Sequence, residues 1–167
     1  LAAFVCESWR SHRTRWIVSS SRRTPDWVGD HFAELAAKRS GAIAEFIDFR
    51  TAGPGTLARL FAEAEAVLAT EDSSSMMSEA VCARLPVVGV APEQHAFKDE
   101  EREYRALLTE QNWARSIPLT ALSPTTFLAA LGEIRPLTEN HLDRLAAALA
   151  ERLPDLFLDR RPAAAAD

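Results

Sequence analysis

Two hydrophobic periods alternate along the chain. Short runs of apolar, β-branched or aromatic residues stand at 16–20, 42–49, 67–70, 86–90 and 114–118, each of strand length. Between them lie segments with apolar residues at helical spacing. Residues 1–12 carry Leu1, Phe4 and Val5 on one stripe, and residues 25–39 carry Val28, Phe32, Leu35 and Ala36. Residues 56–64 place Leu57, Leu60, Phe61 and Ala64 together, and 98–111 turn Tyr104, Leu107 and Leu108 inward. Helices are also expected at 123–131 and at 139–153, the latter with Leu142, Leu145, Ala146, Leu149 and Leu153 in register. Strands alternating with helices predict an α/β fold, a Rossmann-like three-layer domain with one parallel sheet covered on both faces.

The punctuation agrees with this reading. Thr24, Pro25 and Asp26 form a helix start, with Thr24 as cap and Pro25 at the first helical position. Gly41 closes the helix that follows. Residues 51–55 read as a loop rich in glycine and proline. Residues 1–158 are expected to form a single domain, and 159–167, with four alanines, a disordered tail.

The chemistry collects after the expected strands. In such sheets ligands lie beyond the carboxyl ends of the strands. The stretch Thr70, Glu71, Asp72, Ser73, Ser74, Ser75, Met76, Met77, Ser78, Glu79 joins a strand to a short helix. Free amides at a helix start attract anions, and serine hydroxyls add donors. Glu79 has no capping-box role: a cap at Asp72, Ser73, Ser74 or Ser75 puts the third helical position at Ser75, Met76, Met77 or Ser78. Ser75, Ser78, Glu79 and Cys82 share a helix face. Donors for phosphate beside an acid for ribose hydroxyls suit a sugar nucleotide. The first loop adds Ser21, Arg22 and Arg23, a phosphate-binding composition. The alternative for these residues is an ordinary solvated surface.

Composition narrows the classes. The chain has 167 residues, 47% hydrophobic and 26% charged, with a net charge of -5. This is a globular balance with no wholesale nucleic-acid binding. Basic residues do gather at Arg10, Arg13 and Arg15. Two cysteines, Cys6 and Cys82, make no disulfide framework, which points to a reducing, cytoplasmic setting. No apolar run reaches the ~18 residues of a membrane span. No Walker loop and no GxGxxG occurs. The histidines His12, His31, His95 and His141 lack metal spacing, and Asp48 and Asp72 are isolated carboxylates, so no metal is expected. His95, in the fourth strand-end loop, is within reach of a ligand there. No catalytic residue can be named.

Ser21, Arg22, Arg23, Thr24 and Pro25, followed by residues 70–80 and then Leu85, Pro86 and Val87, resemble the elongated-mitochondria family of fission factors and bacterial homologues. The resemblance is close over 16–90 and looser elsewhere. Gly53, Pro54 and Gly55 stand where the family has an Asn-Pro-Tyr-like segment. That family is similar to glycosyltransferases of the two-domain GT-B architecture. The resemblance implies the C-terminal, donor-binding half of such an enzyme, with an N-terminal partner domain lying before Leu1. It implies that Ser73, Ser74, Ser75 and Ser78 hold the diphosphate of a nucleotide sugar and Glu79 its ribose, completed by Ser21 and Arg22. The nucleotide sugar would be a substrate, and no cofactor is implied. The half present here would bind nucleotide without turnover. A nucleotide-sugar epimerase, or an interaction protein of the mitochondrial-fission type with a vestigial pocket, are the alternatives. Peripheral membrane association and a homodimer through an exposed face including Leu1, Phe4 and Trp9 complete the expectations.

Overall fold

The structure, a computed structural model, describes residues 1–38, 41–53, 55–94, 97–139 and 141–154. The expected tail 159–167 lies outside them. Helices and strands alternate: α1 (Ala2–His12), β1 (Trp16–Ser19), α2 (Asp26–Ala37), β2 (Ile43–Ile47), α3 (Phe49–Ala52), α4 (Thr56–Glu63), β3 (Val67–Thr70), α5 (Ser74–Cys82), β4 (Val87–Ala91), α6 (Asp99–Glu110), β5 (Ala114–Pro118), a 3-10 turn at Leu119–Ala121, α7 (Pro124–Glu133) and α8 (His141–Arg152).

Among the described residues all the strand pairs are parallel. The ladders, however, form two sheets instead of the expected one: β1 with β2, and β3-β4-β5 with β4 central. Side-chain packing joins the two sheets. Ile43 of β2, Val88 of β4 and Ile117 of β5 share one core with Phe4, Phe32 and Phe127, and Val18 and Leu68 pack against it. A second core on the opposite face holds Met77, Ala80 and Val81 of α5 with Val87, Leu108 and Ala114. Neighbouring Val87 and Val88 enter opposite cores, as alternation along a strand requires. Helices therefore cover both faces, which is the three-layer α/β arrangement.

Local chemistry moves several boundaries. Residues 49–52 are helical because the Asp48 side chain caps them, accepting from Arg50 N at 3.0 Å. The expected strand thus stops at Ile47, and the expected loop starts later. α2 begins one residue late, with Pro25 as its cap, because the Thr24 hydroxyl turns back to accept from Ser21 N at 2.8 Å. Leu107 is exposed while Leu108 is buried, so α6 turns a narrower stripe inward than expected.

The first helix departs from expectation in its packing. Phe4 is buried in the domain's own core. Its ring meets Trp16 at 5.4 Å and Phe127 at 5.5 Å, both edge to face. Trp16 Nε1 donates to buried Ser8 Oγ at 2.8 Å, and Ser8 Oγ donates to Val5 O at 3.0 Å. Phe4 is therefore an internal contact of this domain and unavailable to a partner, while Leu1 stays exposed. Trp9, half-buried, lies beside Gly41, and Arg13 stacks over its ring at 5.2 Å.

Gly41 combines two constraints. Its φ is +80°, and a Cβ there would lie 2.5 Å from Trp9 Cζ2. Gly41→Ala is expected to destabilise the domain by about 1–3 kcal/mol through strain and overpacking. Urea unfolding measures it; an unchanged midpoint would mean that Trp9 is not seated against this turn.

Candidate functional site

The loops that leave β1 and β3 meet. After β1 the chain closes a tight turn in which Arg23 N donates to Ser21 Oγ at 3.2 Å and Thr24 N to Ser21 O at 3.0 Å. Ser21's hydroxyl is thus engaged in shaping the turn. Arg22 and Arg23 project outward from it, both exposed. Arg23 Nη2 donates across to the carbonyl of Asp72 at 3.1 Å and lies 3.9 Å from its carboxylate. This contact places the two loops on the same edge. Arg22 has no side-chain partner among the described residues.

The turn after β3 leads into α5. Ser73 N donates to Thr70 O at 3.1 Å, and Ser73 then caps the helix without a side-chain bond. The first bond at this end runs from Met77 N to Ser73 O at 3.2 Å. The amides of Ser74, Ser75 and Met76 precede it and point out of the helix start. With Ser73 as cap, the third helical position is Met76, so Glu79 stands clear of any capping role. Ser75 and Glu79 are exposed on successive turns, with no side-chain partner among the described residues.

The other two serines face α6. Ser74 Oγ accepts from Arg105 Nη2 at 3.1 Å and lies 3.5 Å from Glu101 Oε1. Ser78 Oγ donates to Ser74 O at 2.9 Å and meets Tyr104 Oη at 2.6 Å. Ser73, Ser75 and Glu79 therefore border the open edge, whereas Ser74 and Ser78 seat α5 against α6.

Sequence reasoning missed the pair beneath this turn. Glu71 is 4% exposed, and its carboxylate lies 3.5 Å from Arg105 Nε. Glu71 Oε1 and Arg105 Nε have no hydrogen bond among the described residues. One signal was available: Gly89 interrupts a run of valines, and a glycine inside a strand marks close approach. A Cβ at Gly89 would lie 2.6 Å from Glu71 Oε1.

The loop after β2 has the opposite electrostatics. Arg50 pairs with Asp48 at 2.6 Å, Asp30 at 2.7 Å and Asp26 at 3.7 Å. Three carboxylates surround one guanidinium, so this corner repels phosphate. Hydrogen bonds from the Arg50 side chain and backbone hold the Asp48 carboxyl below its ordinary range, and Asp48 and Asp30 raise Arg50 in turn. Ser20 Oγ accepts from Phe49 N at 2.8 Å and ties this loop to the end of β1. Phe97, which follows β4, carries the Arg105 guanidinium over its ring at 3.6 Å. His95 lies outside the described residues. Among the described residues no group of three His, Cys, Asp or Glu is placed to hold a metal ion.

Parallel strands, helices on both faces and loops converging beyond the strand ends define a Rossmann-like α/β domain. The family model for mitochondrial fission ELM1 matches residues 2–155, and the chain belongs to that family. No curated protein matches the chain. No helix among the described residues is long and apolar enough to cross a membrane.

Asp48 gives the site a pH dependence. A depressed carboxyl adds stability that is present above its ordinary value of 3.8 and is lost as pH falls through the lower folded-state value. Unfolding titrations from roughly pH 6 to pH 2 are expected to show a steep loss below ~4 that Arg50→Met flattens. Equal slopes in both proteins would remove the Asp48–Arg50 pair from acid stability.

Proposed function

We propose that this domain binds a nucleoside diphosphate at the edge formed by Ser21, Arg22, Arg23, Ser73, Ser75 and Glu79, as the donor half of a GT-B-like glycosyltransferase. The observation that carries the reading is the Arg23 to Asp72 carbonyl bond of 3.1 Å. It brings a guanidinium-bearing turn and an uncapped helix start to one edge. The amides of Ser74, Ser75 and Met76 and the hydroxyls of Ser73 and Ser75 supply donors for the diphosphate. Arg22 adds a cation with no competing carboxylate among the described residues. Ser74 and Ser78 contribute indirectly, by holding the helix in place.

Glu79 supplies the other half of the recognition. At 1.5 Å per residue it stands about 6 Å along the helix from Ser75. An ionised carboxylate has two acceptor oxygens and no donor, which matches the two donors of a ribose diol. Transfer would break the bond from the sugar's anomeric carbon to the diphosphate and form one to an acceptor hydroxyl, releasing the nucleoside diphosphate and the hydroxyl proton, which requires an acceptor brought to the same edge by a second surface.

Glu79→Gln removes the charge and turns one acceptor into a donor. Charge-assisted bonds contribute on the order of 1.5–3 kcal/mol each, so affinity for the best ligand among UDP, GDP, ADP and CDP is expected to fall at least ~10-fold. Calorimetric titration measures it. Thermal stability should hardly change, because the side chain is exposed. Equal affinities would sink the ribose role, and no binding by the wild type would sink the nucleotide reading.

A second reading, an interaction protein of the fission type, is favoured by α8. Leu145 and Leu149, with Leu153 just past the helix end, are 55%, 41% and 47% exposed, an apolar stripe at helical spacing. In that reading α8 faces a second copy of the chain. Sedimentation would then show a concentration-dependent dimer that Leu149→Glu disperses, and a monomer at all concentrations would count against it.

A further inference from the structure

Arg105 belongs to the second turn of α6, and its side chain is 12% exposed. It makes contacts in several directions at once. Nη2 donates to the carbonyl of Glu71 and, at 3.1 Å, to Ser74 Oγ. Nη1 donates to Glu101 O, one turn back on its own helix, at 2.9 Å. Nε faces the Glu71 carboxylate at 3.5 Å, and the plane of the group stacks over Phe97 at 3.6 Å.

These contacts have a common geometry. Glu71 and Ser74 bracket the turn that delivers the free amides of α5. Phe97 belongs to the loop after β4. One planar, rigid group therefore joins a helix and two strand-end loops. Among the described residues the backbone holds the turn by Glu71 N to Val90 O at 3.0 Å and Ser73 N to Thr70 O at 3.1 Å. A guanidinium presents its donors in a fixed fork, and a lysine ammonium cannot reproduce that fork.

We propose that Arg105 is a positioning residue for the nucleotide site. It holds the 71–74 turn in the shape that aims the α5 amides at the sheet edge, and it does not touch the ligand. The proposal rests on the nucleoside-diphosphate reading above. A fixed turn presents its donors already oriented, so binding does not have to order them.

Two variants probe it. Arg105→Lys keeps a cation beside Glu71 and loses the fork. The double variant Glu71→Gln with Arg105→Met removes both charges, so that no unpaired ion is left in the interior should the single change fail to fold. Arg59→Lys, in an exposed cluster with Glu45 and Glu63, serves as the control. Two quantities are read on each folded protein: the Kd for whichever of UDP, GDP, ADP and CDP binds the wild type best, and the backbone order of residues 72–76 by 15N relaxation.

Both test variants are expected to loosen 72–76 and to raise Kd about 10-fold or more, while the control changes neither. A residue that supports only global stability would lower the melting temperature and leave the Kd of the folded protein alone. Wild-type order at 72–76 in both variants overturns the proposal, as does a loosened turn with unchanged Kd. If the wild type binds none of the four nucleotides, the ligand reading falls by itself. The relaxation data then still decide whether Arg105 holds the turn.

Discussion

A carboxylate buried at the end of β3 constrains everything around it. Glu71 is held inside the protein, and an unpaired ion there would cost several kcal/mol. Arg105 is the cation that offsets this, and it can do so only if α6 lies alongside the turn. Space for the carboxylate exists because position 89 has no side chain: the Glu71 oxygen occupies the place where a Cβ would stand. A turn residue, a helix residue and a glycine in the central strand thus depend on one another. The pairing leaves one carboxylate oxygen and one guanidinium nitrogen without hydrogen bonds among the described residues. Its contribution to stability is accordingly modest, and its effect is mainly to fix one arrangement of the loops.

That arrangement separates the two halves of the open edge by charge. On one side, Arg50 is surrounded by Asp26, Asp30 and Asp48. On the other, Arg22 stands without a side-chain partner among the described residues, next to Arg23 and an uncapped helix start. Arg23 spends its own charge on Asp72, at a point where both groups are more than half exposed and the ion pair is worth little. Its hydrogen bond to the Asp72 carbonyl matters more, since it sets the distance between the loops. An anion arriving at this edge meets donors at the Ser73 turn and acids at the Arg50 corner. In the proposed reading, this asymmetry would favour a diphosphate at the Ser73 turn over the Arg50 corner.

Much of this was legible from residue order, and the limits have physical causes. Alternating periods gave the strands and helices because backbone geometry imposes those periods. The absence of a capping role for Glu79 followed from counting cap positions. The partners of Ser74 and Ser78 did not follow, because a hydroxyl bonds equally well to backbone, to a neighbouring helix or to a ligand, and only tertiary packing brings Tyr104 and Arg105 within reach. The Asp48 cap, which turned a strand end into α3, is likewise a side-chain choice that composition does not announce. The division into two ladders escapes notice for a similar reason. Apolar strands read alike whether their neighbours join them by hydrogen bonds or by side chains alone.

The two terminal helices make the same point about hydrophobic patterns. α1 and α8 both present apolar residues at helical spacing. In α1 the stripe is driven inward by specific neighbours: Phe4 fits among Trp16 and Phe127, and Ser8 accepts from the Trp16 indole. α8 is anchored instead by a polar contact, Arg84 to Asp143 at 3.2 Å, with both side chains at least half exposed. Such a contact holds a helix weakly and does not choose which face turns inward. Its leucines remain on the surface. Periodicity states that a helix has an apolar side; whether that side is core or surface depends on aromatic rings and hydrogen-bond partners far away in sequence. For this domain the distinction bears directly on function. α8 meets Arg84, beyond the opposite end of α5 from Ser73, so the two proposed roles would not compete for one end of that helix.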